Sequence, residues 1–376
     1  MPPSPAADGA SKPRLTIVLR NLSRGGAQRE ALRLGRALVR GKPAWDVRYV
    51  VMDAEIRRQD VGDLVIEYLG TEDSVGGLGR LLNPVRLLVR VRALRRALAA
   101  GAPDCVLAYV GTTNVTTILA SLWPRRAAWR LVVSERNDPV RQRLRAPWEF
   151  LRQRYYARAD RVVANTQHAV ASMSAWVPRA KLDYIPNAVE LTKQEGVAER
   201  REVILAVGRL HAQKGFDVLL HALAQLPERH DRYRLRVVGT GAEADGLVAL
   251  AASLGITERV EWVGELEDVA AEYARATVLA LPSRYEGMPN VVLEAMAAEL
   301  PVVVSDAAQG ALELVSDRQT GRVFASENSA ALADVLASVL DDEEARAALA
   351  RAARDRIQAH DPAVIAERWA DALAAE

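Results

Sequence analysis

The sequence predicts an α/β fold of two Rossmann-like parallel-sheet domains that face a cleft. Its 376 residues exceed what one hydrophobic core usually organises. Apolar β-rich runs alternate with helical apolar patterns in both halves, which is the order of strands and helices in a parallel sheet. A polar segment without periodicity, 190–201, separates the halves. Two consecutive units of this kind normally bind their ligand between them.

Each predicted unit is a series of strands separated by helical stretches. The first series has strands at Arg14–Arg20, Val47–Met52, Val65–Leu69, Cys105–Tyr109, Leu131–Ser134 and Arg161–Ala164. The second series has strands at Val203–Arg209, Arg234–Val238, Val260–Val263, Val278–Leu281 and Val302–Ser305. We therefore expect a disordered lead-in at 1–13, an N-terminal domain at 14–188 and a C-terminal domain at 189–359.

A glycine pair follows the first predicted strand. Gly25 and Gly26 precede a helical apolar pattern that includes Leu32 and Leu38. The pair either lets a ligand approach the helix N-terminus or forms a turn that needs a positive φ. The three spaced glycines of a dinucleotide fingerprint are absent, so NAD or FAD binding is not expected.

Composition excludes several classes of protein. The single cysteine, Cys105, allows no internal disulfide and fits a reducing compartment. No apolar run approaches the roughly 20 residues that span a bilayer, and the first residues have no hydrophobic signal core. We therefore expect a cytoplasmic protein.

Charge is distributed unevenly between the two halves. Residues 1–190 hold 31 Lys and Arg against 17 Asp and Glu, a net charge of +14, and residues 191–376 have a net charge of −12. A basic half is compatible with nucleic acid, anionic lipid or a diphosphate substrate. No stacking or helix-turn-helix motif supports nucleic acid, so that partner is not expected.

Two basic stretches of the first half have two interpretations each. Between Pro84 and Leu98 an apolar stripe is flanked by arginines, and between Arg141 and Arg158 arginines alternate with aromatic residues. Both could lie on an anionic membrane surface. The more ordinary arrangement is a helix that covers a sheet and exposes a basic face. The residues in question are Leu87, Val91, Leu94 and Leu98 of the stripe, and the aromatic Trp148, Phe150, Tyr155 and Tyr156.

The segment from Glu286 to Glu294 indicates the chemistry most clearly. Pro289 is tolerated only in the first turn of a helix, so a helix should begin near Met288–Asn290, with Glu286 before it and Glu294 inside it. Free amides at a helix start bind anions, and carboxylates accept hydrogen bonds from sugar hydroxyls. The segment therefore predicts a site for phosphate and polyol, although two carboxylates also allow a glycosidase pair.

A second loop supplies cations. Gly208–Gly215 follows a strand and precedes an apolar helix, so Arg209 and Lys214 lie where parallel sheets bind ligands. An arginine fork and a lysine point charge suit a diphosphate, although this loop alone is equally consistent with a solvated turn. The loops at Gly241 and Leu266 follow the next two strands and are weaker candidates.

Together these motifs resemble those of a GT-B glycosyltransferase of the retaining group often called family 4, from about Leu15 to the end. Glu286–Glu294 matches the E-x7-E signature of that family. Gly25–Arg29, Ser134–Pro139 and Glu286–Asn290 further resemble bacterial transferases that assemble polysaccharides and lipid-linked glycans. The other segments that carry the resemblance are Ser23–Arg29, Pro186–Ala188, Gly208–Gly215, Gly239–Glu243 and Gly264–Asp268.

The resemblance implies a role for each motif. The donor diphosphate is held by Arg209 and Lys214, the donor-sugar hydroxyls by Glu286 and the ribose by Glu294. Further donor contacts, including the base contact, the phosphate cradle and the closing glycine turn, fall on Gly25, Gly26, Gly208, Gly241, Leu266, Gly287, Met288, Pro289, Asn290, Val291 and Val292.

One departure from the family concerns the first domain. Relatives often carry a His after a mid-domain strand, where it contacts the donor sugar. This chain has none in Val133–Pro139, so Arg136 or Asn137 is expected to take its place. The last helix of this fold usually crosses back onto the first domain. We therefore expect 360–376 to complete that domain, with Trp369 as an anchor or as a surface residue.

The resemblance also implies a reaction. A hexose or N-acetylhexosamine moves from a nucleotide sugar, with UDP as the leading expectation, to a polyprenyl-diphosphate-linked glycan, and the anomeric configuration is retained. The nucleotide sugar is a co-substrate, and neither a metal nor another cofactor is expected. Peripheral contact with an anionic membrane through the basic domain is a further expectation. The alternatives are a small soluble acceptor, a GDP-sugar, or a non-catalytic scaffold that binds nucleotide sugar.

Overall fold

The computed structural model describes residues 12–23, 25–53, 61–71, 84–191 and 201–374. In these ranges the chain forms one parallel sheet of seven strands and another of six. This confirms the predicted α/β fold of two Rossmann-like domains. Most of the expected lead-in, 1–11, and most of the polar linker, 192–200, lie outside the described residues.

The first sheet belongs to the N-terminal half. In chain order its strands are β1 Arg14–Leu19, β2 Asp46–Val51, β3 Val65–Tyr68, β4 Cys105–Tyr109, β5 Arg130–Glu135, β6 Arg161–Ala164 and β7 Leu182–Tyr184. They pair in parallel in the spatial order β3-β2-β1-β4-β5-β6-β7. The helices are α1 Gly26–Arg40, α2 Pro84–Gly101, α3 Gly111–Leu122, α4 Ala146–Tyr155 and α5 Gln167–Met173. α1 packs on one face of this sheet, and α2 to α5 pack on the other.

The second sheet belongs to the C-terminal half. Its strands are β8 Val203–Val207, β9 Arg234–Val238, β10 Val260–Gly264, β11 Val278–Leu281, β12 Val302–Ser305 and β13 Arg322–Phe324. They pair in the spatial order β10-β9-β8-β11-β12-β13. The helices are α6 Phe216–Gln225, α7 Ala244–Ser253, α8 Ala270–Arg275, α9 Asn290–Ala297, α10 Gln309–Leu312, α11 Ser329–Asp341, α12 Glu343–Arg356 and α13 Pro362–Leu373. α6, α7 and α11 cover one face, and α8, α9, α10 and α12 cover the other.

The predicted strands agree with the structure to within two residues at each end. The sequence did not predict β7 and β13, which are three-residue strands at the edges of the two sheets. Three residues are too few to show the alternation that identifies a strand. The strong elements of each sheet were therefore predictable, and the short edge strands were not.

The last helix, α13, packs on the first sheet although it follows the second domain in the chain. Ile365, Trp369 and Leu373 are buried in the same core as α1 and β1. The Trp369 indole is fully buried and stacks on Tyr109 of β4 with ring centroids 6.3 Å apart. The chain thus crosses between the domains twice, near Val189 and near His360.

The apolar stripe of α2 faces the sheet rather than solvent. Val91, Leu94 and Leu98 are buried in the core, and Leu87 packs partly against it. In the second basic stretch, Tyr156 is buried and only Phe150 among the aromatic residues is exposed. The more ordinary interpretation therefore holds for the residues that suggested a membrane helix. None of the helices in the described ranges combines the length and apolarity needed to cross a bilayer.

Replacing Trp369 by Ala tests how strongly α13 holds the first domain. Removing a fully buried indole should lower the free energy of unfolding by about 3–5 kcal/mol, because a cavity remains between α13 and β4. Val364→Ala on the exposed side of the same helix is the control, with an expected change of about 0.5 kcal/mol or less. Urea unfolding followed by circular dichroism measures both. Equal losses in the two variants would contradict the anchoring role.

Candidate functional site

A cavity of about 580 Å³ lies between the two domains, at the carboxyl ends of both sheets. Loops after β5, β6 and β7 line it from the first domain, and loops after β8, β9, β10 and β11 line it from the second. Fourteen of the predicted site residues are in the lining: Gly25, Gly26, Arg136, Asn137, Gly208, Arg209, Lys214, Leu266, Glu286, Gly287, Met288, Pro289, Asn290 and Val291.

Positive charge dominates this cavity. Among the described residues that line it, six are Arg or Lys and three are Glu. Such an excess of cations in a cleft attracts an anionic ligand. The cations are Arg29, Arg33, Arg36, Arg136, Arg209 and Lys214, and the carboxylates are Glu265, Glu267 and Glu286. The described residues contain no group of three or more His, Cys, Asp or Glu that could hold a metal ion.

The loop after β8 brings Lys214 to Glu286. Gly215 has a φ of +65° and its Cα lies against the Pro282 carbonyl, so a side chain there would collide with the backbone of the β11 loop. This close approach places the Lys214 ammonium 2.5 Å from Oε1 of the nearly buried Glu286. The Ser283 hydroxyl donates to the same oxygen at 2.6 Å. The predicted diphosphate cation and the predicted sugar-binding carboxylate therefore form one ion pair.

Arg209 and the start of α9 provide hydrogen-bond donors that have no acceptor or ion-pair partner among the described residues. Arg209 is exposed and makes no ion pair with any residue the structure describes. α9 begins at Asn290 with Pro289 as its N-cap, as predicted from the proline. Within the described ranges, the amides of Gly287, Met288, Asn290 and Val291 have no protein acceptor. A guanidinium and unpaired amides at a helix start are suited to phosphate oxygens.

Three predicted residues lie outside the lining. Val292 is buried in the core of the second domain, and its amide donates to the Pro289 carbonyl at 3.1 Å, so it is not available to a phosphate. Gly241 packs so closely on Leu210 that a Cβ would be 2.1 Å from that carbonyl oxygen, which indicates a packing role. Glu294 is the third of these residues.

The Glu294 carboxylate lies between the domains, behind the cavity wall. The Tyr273 hydroxyl donates to Oε2 of Glu294 at 2.9 Å. Oε1 lies 3.6 Å from Nη1 of Arg29 and 3.9 Å from Nη1 of Arg33, both on α1 of the first domain. Arg29 and Arg33 line the cavity themselves, so Glu294 is adjacent to it.

Arg136 and Asn137, the two residues expected to replace a His of the family, face different ways. The Arg136 guanidinium is turned inward, where Nη2 donates to Oδ1 of Asn187 at 2.6 Å and lies 3.4 Å from the buried Glu30 carboxylate. It also lies over the Tyr109 ring. Asn137 accepts the amide of its neighbour Asp138 and makes no further hydrogen bond to the described residues. Its side-chain NH2 therefore remains available to a ligand.

Sequence reasoning missed the polar cluster beneath the cavity. Asn187 donates to the Met288 carbonyl at 3.0 Å and to Oδ1 of Asn290 at 2.5 Å, and it accepts from Arg136 and from Asn165 at 3.2 Å. Burial raises the pKa of Glu30, and the charge of Arg136 opposes that rise. A carboxylate on the apolar face of α1 was the signal that could have indicated such a cluster.

The two domains touch closely at Gly287. A Cβ at this position would lie 2.4 Å from the Arg136 carbonyl oxygen and 2.9 Å from Cα of Asn137. Only glycine allows this approach, which brings the predicted phosphate cradle of one domain against the sugar-side loop of the other. Two Rossmann-like domains that face a cation-lined cleft are the arrangement of a GT-B glycosyltransferase.

Comparison with known proteins gives the family. The model described as "Glycosyl transferases group 1" matches residues 188–356, and the model "Glycosyl transferase 4-like domain" matches residues 25–188. The two matches meet at Ala188 and together cover residues 25–356, which is most of both domains. The chain belongs to the group 1 glycosyltransferases, as the motifs predicted.

Individual relatives are consistent with this assignment. An alpha-1,4-N-acetyl-D-galactosaminyltransferase of Campylobacter jejuni that acts on a GalNAc-GalNAc-diNAcBac-PP-undecaprenol is 29% identical over 75% of this chain and 77% of its own. A second C. jejuni enzyme, an N-acetylgalactosamine-N,N'-diacetylbacillosaminyl-diphospho-undecaprenol 4-alpha-N-acetylgalactosaminyltransferase, is 25% identical over 94% of this chain and 97% of its own. The Anabaena protein HepE, solved with UDP, has the same fold with a TM-score of 0.74, at 22% identity over 96% and 99% of the two chains.

Replacing Arg136 by Met tests the buried cluster. The change leaves the Glu30 carboxylate buried without its guanidinium, which should lower the free energy of unfolding by about 3–5 kcal/mol. Adding Glu30→Gln should recover part of the loss, because a neutral side chain is easier to bury.

The control for this change is Arg14→Met, which removes an exposed pair with Asp104 and should cost about 1 kcal/mol or less. Urea unfolding of the three variants measures the differences. A loss in Arg136→Met no larger than that in Arg14→Met would contradict the proposed pairing.

Proposed function

We propose that the protein is a retaining hexosyltransferase that moves a hexose or N-acetylhexosamine from a UDP-sugar to a polyprenyl-diphosphate-linked glycan. The reaction would serve bacterial surface polysaccharide or glycan assembly on the cytoplasmic side of the membrane. The observation that carries this proposal is the convergence of Arg209, Lys214 and the free amides of α9 around Glu286. This set combines groups for a diphosphate with a carboxylate for sugar hydroxyls.

The donor would lie along the cavity with its diphosphate near Lys214. Arg209, Lys214 and the amides of Gly287, Met288, Asn290 and Val291 would bind the diphosphate, and Glu286 would bind the sugar hydroxyls. Leu266 in the loop after β10 would contact the base. Glu294 would accept hydrogen bonds from the ribose hydroxyls. Support for a UDP donor comes from HepE, whose structure contains UDP.

On the first-domain side, Asn137 is the better candidate for the sugar contact that relatives make with a His. Among the described residues its side-chain NH2 has no partner, whereas Nη2 of Arg136 contacts Asn187 and Glu30, and the Nη1 of Arg136 that lacks a hydrogen-bond partner is buried. The Gly25–Gly26 turn lines the same cavity and would close over the diphosphate.

The chemistry follows from charge. As the bond to the diphosphate breaks, the sugar becomes positive and the leaving diphosphate becomes more negative. Fixed donors that point at the developing charge stabilise this transition state most. Arg209, Lys214 and the α9 amides would supply them in place of a metal. The acceptor hydroxyl would attack from the side of the leaving group and lose its proton to the departing diphosphate, so configuration is retained.

A glycosidase pair is the weaker interpretation of Glu286 and Glu294. The carboxylate of Glu286 is bound by Lys214 and Ser283, and that of Glu294 by Tyr273 and two arginines. The cations and unpaired amides beside Glu286 suit a diphosphate, which hydrolysis of a glycoside does not require.

The proposed acceptor rests on the two C. jejuni relatives, whose substrates are diphospho-undecaprenol glycans. The basic first half of this chain suits a diphosphate-linked lipid. A soluble acceptor, a GDP donor and a non-catalytic scaffold are the alternatives that the first experiment distinguishes.

Incubation with a panel of labelled UDP- and GDP-sugars and a lipid-linked glycan tests the reaction. We expect sugar transfer, or slow donor hydrolysis without acceptor, from one UDP-sugar. Binding without either reaction would support the scaffold instead, and transfer from a GDP-sugar alone would correct the donor. Absence of both reaction and thermal stabilisation with every donor would falsify the enzyme proposal.

Within that assay, Lys214→Ala and Glu294→Ala should each weaken binding of the preferred donor by about 10- to 100-fold, the usual effect of losing a hydrogen bond to a charged group. Arg318→Ala, exposed on the same domain, is the control and should bind normally. Calorimetry measures the affinities. Unchanged affinity in both site variants would mean that the donor lies elsewhere.

Membrane contact would involve the outer face of α2, on the side opposite its buried stripe. Val85, Arg86, Val89, Arg92 and Arg96 are exposed there, and this mixture of apolar and cationic side chains suits an anionic lipid surface. α3 packs beside α2 and α4 beside α3, which adds the exposed Phe150 to the same side of the domain.

Replacing Arg92 and Arg96 by Glu should lower the partition coefficient onto anionic liposomes about 30-fold or more at low salt, because about 1 kcal/mol of attraction is lost for each of the two cations. Arg318→Glu with Arg351→Glu makes the same charge change on the second domain and should have little effect. Liposomes without anionic lipid are the second control. Binding that ignores lipid charge and salt in every variant would contradict an electrostatic contact.

A further inference from the structure

The Glu294 carboxylate is shared between the two domains. The Tyr273 hydroxyl, from its own domain, occupies Oε2. Oε1 faces Arg29 and Arg33, which belong to α1 of the other domain. Oε2 is thus held by a residue of its own domain, whereas the charges around Oε1 depend on how the two domains are placed relative to each other.

Oε1 is buried yet accepts no hydrogen bond. Its guanidinium neighbours, at 3.6 and 3.9 Å, are close enough for charge attraction and too far for a normal hydrogen bond. A buried acceptor in this state is costly. A hydroxyl group that donated to Oε1 would satisfy this acceptor, and the cavity that Arg29 and Arg33 line is adjacent to it.

The contact between α1 and α9 extends beyond these charges. Nδ2 of Asn290 lies 3.5 Å from the Gly26 carbonyl oxygen, so the N-terminal ends of the two helices meet. A Cβ on Gly26 would lie 3.2 Å from the same Asn290 nitrogen. Arg29 and Arg33 follow one and two turns later on the face of α1 that lines the cavity. The arginines therefore belong to a packed interface at the nucleotide end of the cleft.

We propose that Arg29 and Arg33 are positioning residues for nucleotide binding, which they support through Glu294 from the opposite domain. Their charges hold the carboxylate so that Oε1 accepts a ribose hydroxyl only when α1 is docked on α9. Nucleotide binding and closure of the cleft thereby stabilise each other. This inference rests on the proposed role of Glu294 toward the ribose.

The test measures the affinity of UDP for the full chain by calorimetry, with GDP in a parallel series. Arg29→Gln with Arg33→Gln should weaken binding about three- to tenfold at low salt, as expected for two partly exposed ion pairs. High salt should reduce the difference. Arg40→Gln, exposed in the last turn of α1, is the matched control and should bind like the wild type. Arg29→Lys with Arg33→Lys should restore most of the affinity.

A double-mutant cycle with Glu294→Gln separates indirect from direct action. If the arginines act through Glu294, their replacement should have no further effect once that carboxylate is neutral. An effect of equal size in the Glu294→Gln background would show direct contact with the nucleotide and would overturn the inference. So would wild-type affinity in Arg29→Gln with Arg33→Gln. Failure of the wild type to bind either nucleotide would instead reject the proposed function.

Discussion

The arrangement of the two domains depends on the hydrogen bonds that the side chain of Asn187 makes with both of them. Its NH2 donates to Met288 and Asn290 of the second domain, and its oxygen accepts from Arg136 and Asn165 of the first. A carboxamide has two donors and an acceptor oxygen, and all are used here. Asn187 also lies where the chain passes from one domain to the other. A shift of either domain would therefore break hydrogen bonds of a buried group, which is costly.

Asn187 thus links the segment where the chain crosses between the domains to the loop that precedes α9. Met288 and Asn290, the two partners of Asn187 in the second domain, flank Pro289 at the start of α9, and Glu286 lies just before them. The amides available to a phosphate are therefore fixed by contacts that span both domains. The ion pair between Lys214 and Glu286 adds a second constraint, because each holds the other at the centre of the cavity. A diphosphate would meet donors that are already in place, which is the condition for strong electrostatic stabilisation.

The sequence predicted the features that depend on local pattern. Pro289 located the start of α9, and the run of glycines and cations in 208–215 located a loop that lines the cavity. The contacts of Glu294 with Arg29 and Arg33 could not be predicted, since these residues are some 260 positions apart in the chain and their approach depends on the angle between the two domains. The stripe on α2 was ambiguous for a related reason. The periodicity of Val91, Leu94 and Leu98 shows that one face is apolar, but it cannot say whether sheet or lipid covers that face.

The arginines that give the first half its net positive charge lie in three kinds of place: buried, in the cleft and on the outer surface. Arg136 and Arg152 are buried and bound to carboxylates, so they contribute nothing to a surface field. Arg29 and Arg33 point into the cleft, where Glu294 offsets part of their charge. Among the exposed arginines, Arg86, Arg92 and Arg96 lie on α2 and Arg154 lies on α4, helices that pack on the face of the sheet opposite α1 and α13. For the proposed lipid-linked acceptor, the cleft would receive the glycan end, and cations on the outer face would lie near the membrane that holds the diphosphate and the lipid.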